Sequence, residues 1–428
     1  MELKPGYKKT DVGVIPEEWD TSPCSAVSER IMVGIVIRPT QYYVRYGVPA
    51  FRSANIREDG INDLDLVFIS EASNSILSKS QTRTGDVLTV RTGYPGTSAV
   101  VYSQHAGCNC IDILITRPSV MVCPEWLAIW INSPFGKEQV LRNQGGLAQK
   151  HFNVGDLRNL VVALPPLPEQ RVIATALTDV DALLVGLDRL IAKKRDLKQA
   201  AMQQLLTGKT RLPGFSGEWE VKRLGDHVTF LRNGVNSRAE LTEAGFVKYL
   251  HYGDIHTTNR LLLDPATVAM PALPENLARN LDRLRGGDLI FVDTSEDIDG
   301  VGKSVELSVG FPDQVVAGLH TIAARFARNF LADGFKAYLQ FCPDFLNQLR
   351  RLAAGTKVYA TNRAHIASVE IALPEVAEQT AIASILLAMD AEISALEARR
   401  DKTHAIKQGM MRDLLTGRIR LIPSAPAV

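Results

Sequence analysis

The sequence predicts an α+β fold in which two α/β domains are separated by two long helices that pair as an antiparallel coiled coil, with a pseudo-twofold internal repeat. The main observation is a duplication. Forty-nine residues from Leu164 align without a gap with those from Leu373, and 20 of the pairs are identical. Both copies carry apolar residues at alternating spacings of four and three, which is typical of a helix packed along another helix. Short β-prone runs and a helix pattern precede each copy, which indicates a mixed domain.

The duplication divides the 428-residue chain into alternating segments. The earlier part of each half repeats more faintly: GDVLTVRTG from Gly85 answers GDLIFVDTS from Gly287, and GGLAQKHFN, ending at Asn153, answers AGTKVYATN, ending at Asn362. One scaffold is therefore kept while its surface changes. We predict an N-terminal arm over 1–16, a first domain over 17–155, a first helical segment over 156–212, a second domain over 213–365 and a second helical segment over 366–428.

Each copy of the repeat predicts one long helix. Glu169 stands in the first turn, where the helix N-terminus favours a carboxylate, and Gly208 lies where a C-terminal cap is expected. At about 1.5 Å per residue, the first helix spans about 60 Å. The intervening domain favours an antiparallel pair; the alternative is two amphipathic helices that each pack on their own domain. The seam consists of Ile173, Leu177, Val180, Leu184, Leu187 and Ile191 in the first copy, and of Ile382, Leu386, Met389, Ile393 and Leu396 in the second.

The segments before the repeats have the pattern of α+β domains. Runs such as DVLTVRT and DLIFVDT are β-prone and are broken by Gly, Pro and Asn. A helix pattern follows in each domain, PEWLAIWINSPFGKEQVL from Pro124 in the first and ADGFKAYLQFCPDFLNQLRRL from Ala332 in the second. In the first helical segment, the basic stretch from Arg189 to Lys198 is either a solvated helix face or a contact surface.

The composition is that of a globular protein, with 46% hydrophobic and 22% charged residues. No apolar run is long enough for a membrane-spanning helix, and the N-terminus lacks the apolar core of a secretory signal. Five irregularly spaced cysteines fit a reducing cytoplasm, where we expect the protein to reside. A net charge of +1 gives by itself no indication of nucleic-acid binding.

Motifs of enzymatic chemistry are missing from the sequence. DGVGKS at 299–304 resembles the end of a phosphate-binding loop, but Asp297 stands where that motif needs a glycine, so a turn between strands is expected. Cys108 and Cys110 form a C-x-C without further ligands at zinc spacing. No G-x-S-x-G, H-E-x-x-H or amino-methyltransferase motif is present. We therefore predict a non-catalytic chain without a metal.

The repeated segments resemble the DNA-specificity subunit of type I restriction–modification systems over nearly the whole chain. The residues that carry this resemblance are LPPLPEQRVIATALTDVDALL and its copy from Leu373, the LLTG helix ends, the GDVL and GDLI strands, and the GGLAQK and AGTKVY segments. The second copy departs from the first at Val376 and Ala377, and its G-D hairpin carries a SEDIDG insert from Ser295.

The resemblance implies a function in sequence-specific DNA recognition. Each of two target-recognition domains would read one half of a bipartite, asymmetric site in double-stranded DNA, and the helix pair would set the spacer, for which B-DNA geometry suggests roughly 5–8 bp. Two modification subunits would supply S-adenosylmethionine and adenine methylation. Restriction subunits would use ATP and Mg²⁺, and this chain would bind no cofactor. Since the partners can share phosphate neutralisation, we expect weak DNA binding by the chain alone.

Candidate binding residues are polar side chains in or beside the loops of the domains, where phosphates and base edges are contacted. Partner contacts are expected on the exposed helix faces near Glu169, Gln170, Glu378 and Gln379. One alternative is a pseudo-symmetric protein-interaction scaffold without DNA specificity, and another is a self-sufficient nuclease or methyltransferase. The DNA-binding candidates are Arg52, Arg57, Arg91, Tyr94, Gln149 and Lys150 in the first domain, and His251, His256, Lys303, Lys357, Tyr359 and Arg363 in the second.

Overall fold

The computed structural model describes residues 5–142, 151–243, 245–311, 314–353 and 359–421. It contains two compact units. Unit 1 comprises Met1–Asp188 and Ala398–Val428, and unit 2 comprises Arg189–Glu397. Each long helix is thus divided between the units, whereas the segment boundaries drawn from the sequence stay predictions.

Unit 1 is built on two four-stranded sheets with the strand orders β11-β10-β13-β4 and β12-β6-β9-β5. The first sheet is antiparallel, and in the second β12 runs parallel to β6. Smaller pairs are the hairpins β1-β2 and β7-β8 and the pair β3-β14. The strands are β1 (Tyr7–Thr10), β2 (Gly13–Pro16), β3 (Asp20–Pro23), β4 (Ser28–Val33), β5 (Tyr43–Val44), β6 (Val48–Phe51), β7 (Ile56–Arg57), β8 (Gly60–Ile61), β9 (Val67–Ile69), β10 (Val87–Val90), β11 (Ser98–Val100), β12 (Asn109–Cys110), β13 (Ile113–Pro118) and β14 (Val161–Leu164). The helices are α1 (Glu71–Ile76), α2 (Pro124–Asn132), α3 (Pro134–Arg142), α4 (Val154–Asn159) and α5 (Leu167–Leu205).

Unit 2 repeats this topology, with a five-stranded sheet of order β16-β24-β20-β22-β18, a three-stranded sheet of order β19-β17-β23, and the pairs β15-β26 and β21-β25. As in unit 1, one pair of the smaller sheet is parallel, here β17 and β23. The strands are β15 (Glu220–Arg223), β16 (Val228–Phe230), β17 (Val247–Leu250), β18 (Leu262–Leu263), β19 (Ala272–Leu273), β20 (Leu289–Val292), β21 (Thr294–Ser295), β22 (Ser304–Leu307), β23 (Val315–Ala317), β24 (Thr321–Phe326), β25 (Tyr359–Ala360) and β26 (Glu370–Leu373). The helices are α6 (Tyr252–Thr257), α7 (Glu275–Ala278), α8 (Pro343–Leu352), α9 (Arg363–Ser368) and α10 (Val376–Leu414). The predicted shared scaffold is confirmed.

The predicted helix pair is confirmed in both units. In unit 1, Ile173 and Leu177 of α5 share the core with Met411 and Leu414 of α10. In unit 2 the opposite ends meet, and Leu205 of α5 lies in one core with the start of α10. The start of each helix therefore packs against the end of the other, which makes the pair antiparallel. Every predicted seam residue is buried or half-buried.

The basic stretch of α5 faces acidic residues of α10. In unit 2, Lys194 Nζ lies 2.6 Å from Glu392 Oε1, and Lys198 forms an ion pair with Asp390. Arg195 pairs with Glu397. These ion pairs stabilise the register of the two helices, and their charged groups remain partly exposed to solvent.

The helix patterns predicted from Pro124 and Ala332 do not form single helices. The first is divided into α2 and α3 at Ser133, and in the second a 3₁₀ segment, Lys336–Phe341, precedes α8. Pro134 and Pro343 start the new helices because proline lacks the N–H that a continuing helix needs but fits a first turn. The DGVGKS motif lies in the connection to β22, with a turn at 299–302, as predicted. Among the described residues, no helix has the length and apolar character needed to cross a bilayer.

Candidate nucleic-acid interface

In both units, the loop after the central strand lies beside the segment that leads into the helical repeat. Phe152 N–H donates to the Arg91 carbonyl at 3.0 Å, and Thr361 N–H donates to the Asp293 carbonyl at 2.8 Å. Phe152 and Thr361 are equivalent in the 209-residue shift of the repeat. The structure thus brings together two predicted loop regions in each unit. The predicted contacts Gln149, Lys150 and Lys357 lie outside the described residues.

Arg91 and Tyr94 begin the corresponding loop of unit 1. Arg91 Nη1 lies 2.7 Å from Asp112 Oδ1, and Thr92 Oγ1 donates to the other oxygen at 3.0 Å. This ion pair is partly open to solvent and fixes the base of the loop. Tyr94 is 84% exposed, so its ring is accessible from solvent. Arg91 thus holds the loop, and Tyr94 is its most accessible predicted contact.

Arg52 and Arg57 differ in the hydrogen bonding and in the exposure of their side chains. Arg52 Nη2 donates to the Asp65 carbonyl at 2.6 Å, and its backbone N–H donates to Asn55 Oδ1 at 2.9 Å. Arg52 is half-buried and closes a turn. Arg57 ends β7 with its side chain exposed. Arg57 is therefore the more accessible cation.

Three predicted contacts of unit 2, His251, His256 and Lys303, form hydrogen bonds with backbone groups of unit 2 itself. His251 caps α6, because its Nδ1 accepts from Gly253 N–H at 3.2 Å. Burial and the nearby Arg238 charge lower the pKa of His251, which favours the neutral ring. His256 Nε2 lies 3.0 Å from the Thr294 carbonyl, and Lys303 Nζ donates to the His256 carbonyl at 2.6 Å. Burial also lowers the pKa of Lys303. These bonds hold the loops in place.

Tyr359 and Arg363 also connect loops of unit 2. Tyr359 pairs with Ser295 in the short ladder of β21 and β25. Arg363 Nη2 donates to the Leu231 carbonyl at 2.7 Å and to Asn233 Oδ1 at 3.0 Å. The side chain of Arg363 is nevertheless largely exposed, so it can reach solvent while anchoring the neighbouring loop.

A pair of one acidic and one basic side chain, with the two members exchanged, occupies equivalent positions in the two units and was missed by sequence reasoning. In unit 1, Arg91 follows β10 and bonds to Asp112, which precedes β13. In unit 2, Asp293 follows β20, and its Oδ1 lies 3.1 Å from Nδ1 of His320, which precedes β24. Asp112 and His320 both adopt positive φ angles, 51° and 57°. The alignment of GDVLTVRT with GDLIFVDT places Arg91 opposite Asp293 and could have revealed the reversal.

The first turn of each long helix is closed by an arginine from beyond the end of the other helix. In unit 1, Glu169 accepts from Arg420 Nε at 2.5 Å and Nη2 at 2.7 Å, and from Trp19 Nε1 at 3.2 Å. In unit 2, Glu378 accepts from Arg211 Nε at 2.7 Å and Nη2 at 2.5 Å. The two arginines are equivalent in the repeat, and their identity is the signal in the sequence for this contact.

The neighbouring glutamines also bind within their own units. Gln170 Oε1 accepts from Cys123 N–H at 2.8 Å, and its Nε2 donates to the Pro165 carbonyl at 2.8 Å. Gln379 does the same with Ala332 N–H, at 2.9 Å, and the Pro374 carbonyl, at 3.0 Å. Each glutamine ties its helix to the adjoining domain.

The expectation that these helix starts present exposed side chains for a partner needs correction. The four predicted residues are at most 1% exposed, because each forms the hydrogen bonds described above; they are Glu169, Gln170, Glu378 and Gln379. The surface beside them is open, however. In unit 1 a groove of about 910 Å³ is lined by α5 residues, including Arg171 and Asp179, and by Val120 and Arg83 of the domain. Partner docking on this neighbouring surface stays a prediction.

No cluster of three or more His, Cys, Asp or Glu side chains suited to a metal occurs in the part of the chain that the structure describes. The five cysteines are buried thiols. Burial raises the pKa of Cys24 to about 11 and that of Cys342 to about 12, so these thiols are protonated at neutral pH.

Comparisons with known proteins agree with this architecture. The family model described as "Type I restriction modification DNA specificity domain" matches residues 68–194. A Methanocaldococcus jannaschii protein assigned as the MjaX type I restriction enzyme specificity subunit is 23% identical, with 97% of each chain covered. The StySPI specificity subunit of Salmonella potsdam is 22% identical, over 86% of this chain and 81% of its own.

A solved structure shows the same fold. The S subunit of the type I restriction–modification system from M. genitalium superposes with a TM-score of 0.61 at 12% identity. The match covers 97% of this chain and 98% of that one. The likeness therefore includes both units and both long helices.

Proposed function

We propose that this chain, a type I restriction–modification specificity subunit by sequence and fold, selects the DNA sequence on which a larger complex acts. Unit 1 reads one half of a bipartite site, and unit 2 reads the other. The observation that carries this proposal is a shared topology with different loop chemistry. Arg91 and Asp112 in unit 1 correspond to Asp293 and His320 in unit 2. Nothing in the fold or among the relatives favours a scaffold without DNA specificity.

Different loops on one scaffold explain an asymmetric target. Bases are distinguished by the donors and acceptors that reach their groove edges, so different side chains in equivalent loops select different half-sites. Arg57 and Tyr94 in unit 1 and Arg363 in unit 2 are the accessible predicted contacts. The pairs and caps made by Arg91, His251 and the other predicted residues hold those loops in position.

The helix pair sets the spacing of the half-sites. Each long helix has 39 residues, about 58 Å at 1.5 Å per residue. Ion pairs such as Lys407 with Asp181 in unit 1 and Lys194 with Glu392 in unit 2 fix the register of the two helices. A fixed register gives a fixed spacer of roughly 5–8 bp, because equivalent groove faces recur every 10–10.5 bp.

Chemistry belongs to the partners of this chain. Two modification subunits supply S-adenosylmethionine and methylate adenine, and restriction subunits bring ATP and Mg²⁺; all act with this chain in the cytoplasm. We place the modification subunits on the open helix surface beside Glu169 and Glu378, where Arg171 and Asp179 offer both charges in unit 1. The net charge of +1 fits shared neutralisation of the DNA phosphates.

A binding selection tests the proposal. The chain is assembled with a modification subunit encoded beside it, and the complex is incubated with a duplex library containing a randomised region. We expect enrichment of one bipartite motif with a constant spacer, and weak, salt-sensitive binding by the chain alone. A matched control complex carries a chimaera in which unit 2 residues 213–365 are replaced by those of a relative. Only one half of the motif should then change. Binding without any sequence preference would refute the proposal.

A further inference from the structure

A stretch of unit 1 is strongly basic although the chain is nearly neutral. From Arg30 to Arg57 the sequence contains five arginines and no acidic residue. Three tyrosines lie between Arg38 and Gly47. The stretch includes a loop at residues 36–47, here called the arginine loop, that leads from the end of β4 towards β6.

The outer side chains of the arginine loop are presented to solvent. Arg38 and Arg45 are exposed, and within the described residues neither has an ion-pair partner. Ile37 is 75% exposed and Tyr46 is 76% exposed. The Arg45 guanidinium lies 5.3 Å from the centre of the Tyr46 ring, which orients both groups. The arginine loop thus exposes two pairs of neighbouring side chains, Ile37 with Arg38 and Arg45 with Tyr46, each with one cation and one large hydrophobic group.

The base of the arginine loop is tightly held. A Cβ on Gly47 would lie 2.3 Å from the Ile69 carbonyl oxygen, so the backbone approaches β9 too closely for any side chain. Gly34 has the same relation to the Cys110 carbonyl, also at 2.3 Å. Tyr42 and Tyr43 pack on the small core that contains Ile69. The arginine loop is therefore held at both ends and, through strand β5 (Tyr43–Val44), in its middle, which fixes the exposed side chains on either side.

The arginine loop belongs to the same corner of unit 1 as the predicted interface. Asp112 N–H donates to the Ile35 carbonyl, directly before the loop, at 3.0 Å. The Asp112 carboxylate binds Arg91 at the base of the Tyr94 loop. Asp112 therefore links the residue that precedes the arginine loop with the base of the loop that carries Tyr94.

Unit 2 carries a different loop at the equivalent place in its fold. Residues 231–243 and 245–246 lie between β16 and β17, as the arginine loop lies between β4 and β6. This segment exposes Val235 and Phe246, and its Arg238 is paired with Asp254 at 2.5 Å. The position is thus kept in both units, while its charge and apolar side chains differ.

We infer that the arginine loop is a DNA-contacting element of unit 1, which enters a groove of its half-site. Arg38 and Arg45 contact backbone phosphates, and Ile37 and Tyr46 pack against base edges or sugars. Unpaired cations next to exposed apolar side chains match a polyanion with hydrophobic groove edges. This inference rests on the proposed function and adds residues to it.

The test uses the full chain assembled with its modification subunit and compares two kinds of variant. The double variant R38Q/R45Q should weaken binding to matched and mismatched duplexes alike and reduce the slope of log affinity against log salt by about 2, about 1 for each phosphate contact. The variant I37A/Y46A should lower discrimination at the unit 1 half-site on the order of tenfold and leave the other half-site unchanged. Lys9→Gln, which removes an exposed cation from β1, is the control and should change neither quantity.

The possible outcomes distinguish a failure of the inference about the arginine loop from a failure of the proposed function. All substituted side chains are exposed, so the thermal unfolding midpoint should stay at the wild-type value. If both loop variants bind like Lys9→Gln while the wild-type complex binds its motif, the inference is wrong and the proposed function stands. If the wild-type complex shows no motif, the proposed function fails, and the salt slope of R38Q/R45Q on any duplex still decides whether the loop contacts phosphates.

Discussion

Replacing Arg420 with glutamine should destabilise unit 1 by opening the start of α5. Arg420 donates two hydrogen bonds to Glu169 and one to Glu18, and it lies 5.7 Å from the centre of the Trp19 ring. Glu169 is 1% exposed. In the variant its carboxylate keeps the Trp19 N–H but loses its counter-charge, which leaves a buried anion with one hydrogen bond and no cation beside it.

The magnitude follows from the burial of the two partners. Removing one partner of a fully buried ion pair costs about 3–5 kcal/mol. The Arg420 side chain is 22% exposed, so water can reach part of the opened site. We therefore expect a loss of about 2 kcal/mol in the free energy of unfolding of unit 1. The double variant E169Q/R420Q should recover part of this loss, because a neutral amide is cheaper to bury than a lone carboxylate.

Hydrogen exchange in increasing denaturant measures this effect for each unit separately. Peptides covering 5–23 and 405–421 should lose protection in R420Q, while peptides of unit 2 should not. Arg418→Gln is the matched control, because Arg418 pairs with Asp413 at 3.1 Å but is largely exposed. It should change stability by less than about 0.5 kcal/mol. Equal effects of R418Q and R420Q, or a loss confined to unit 2, would refute the reasoning.

Three further predictions concern charge, pH and length. Burial raises the pKa of Glu306 from 4.5 to about 7, so the stability that its protonated form contributes to unit 2 is fully present below pH 4.5 and is lost as the pH rises through about 7. The denaturation midpoint of E306Q should therefore rise relative to that of the wild type over this pH interval. A difference between the two midpoints that does not change with pH would contradict this prediction. Alanine at Arg91 or Asp112 should alter preference at the unit 1 half-site only, and R91A/D112A should cost less than the sum of the single variants in a double-mutant cycle. Matched seven-residue insertions after Asp188 and Glu397 should lengthen the spacer by about 3 bp, since one heptad adds about 10.5 Å and keeps the seam in phase, whereas an insertion in α5 alone should impair folding.

The helix pair and the repeated scaffold could be predicted because their signals are periodic and duplicated in the sequence. Apolar spacing reports directly which face of a helix is buried, and two copies in the same phase reinforce the signal. The helix patterns at Pro124 and Ala332 were less reliable, since Pro134 and Pro343 divide them while the apolar pattern continues.

The contacts at the helix starts could not be read in the same way. Arg420 and Glu169 are 251 positions apart, and local sequence contains no record of which distant side chain neutralises a first-turn carboxylate. The identity of Arg211 and Arg420 in the repeat was the available signal. His251 caps a helix and Lys303 bonds to a backbone carbonyl because of the tertiary packing around them. Composition alone does not distinguish such structural residues from DNA contacts.

Methylation mapping of a host genome that carries the complete system tests the central claim most directly. We expect one bipartite motif with two different halves and a constant spacer to be methylated on adenine in every copy. Deletion of this gene should abolish that methylation, and reintroduction of the chain with the I37A/Y46A loop should relax the half of the motif read by unit 1. Methylation that persists at the same motif without the gene would contradict its role as the specificity subunit.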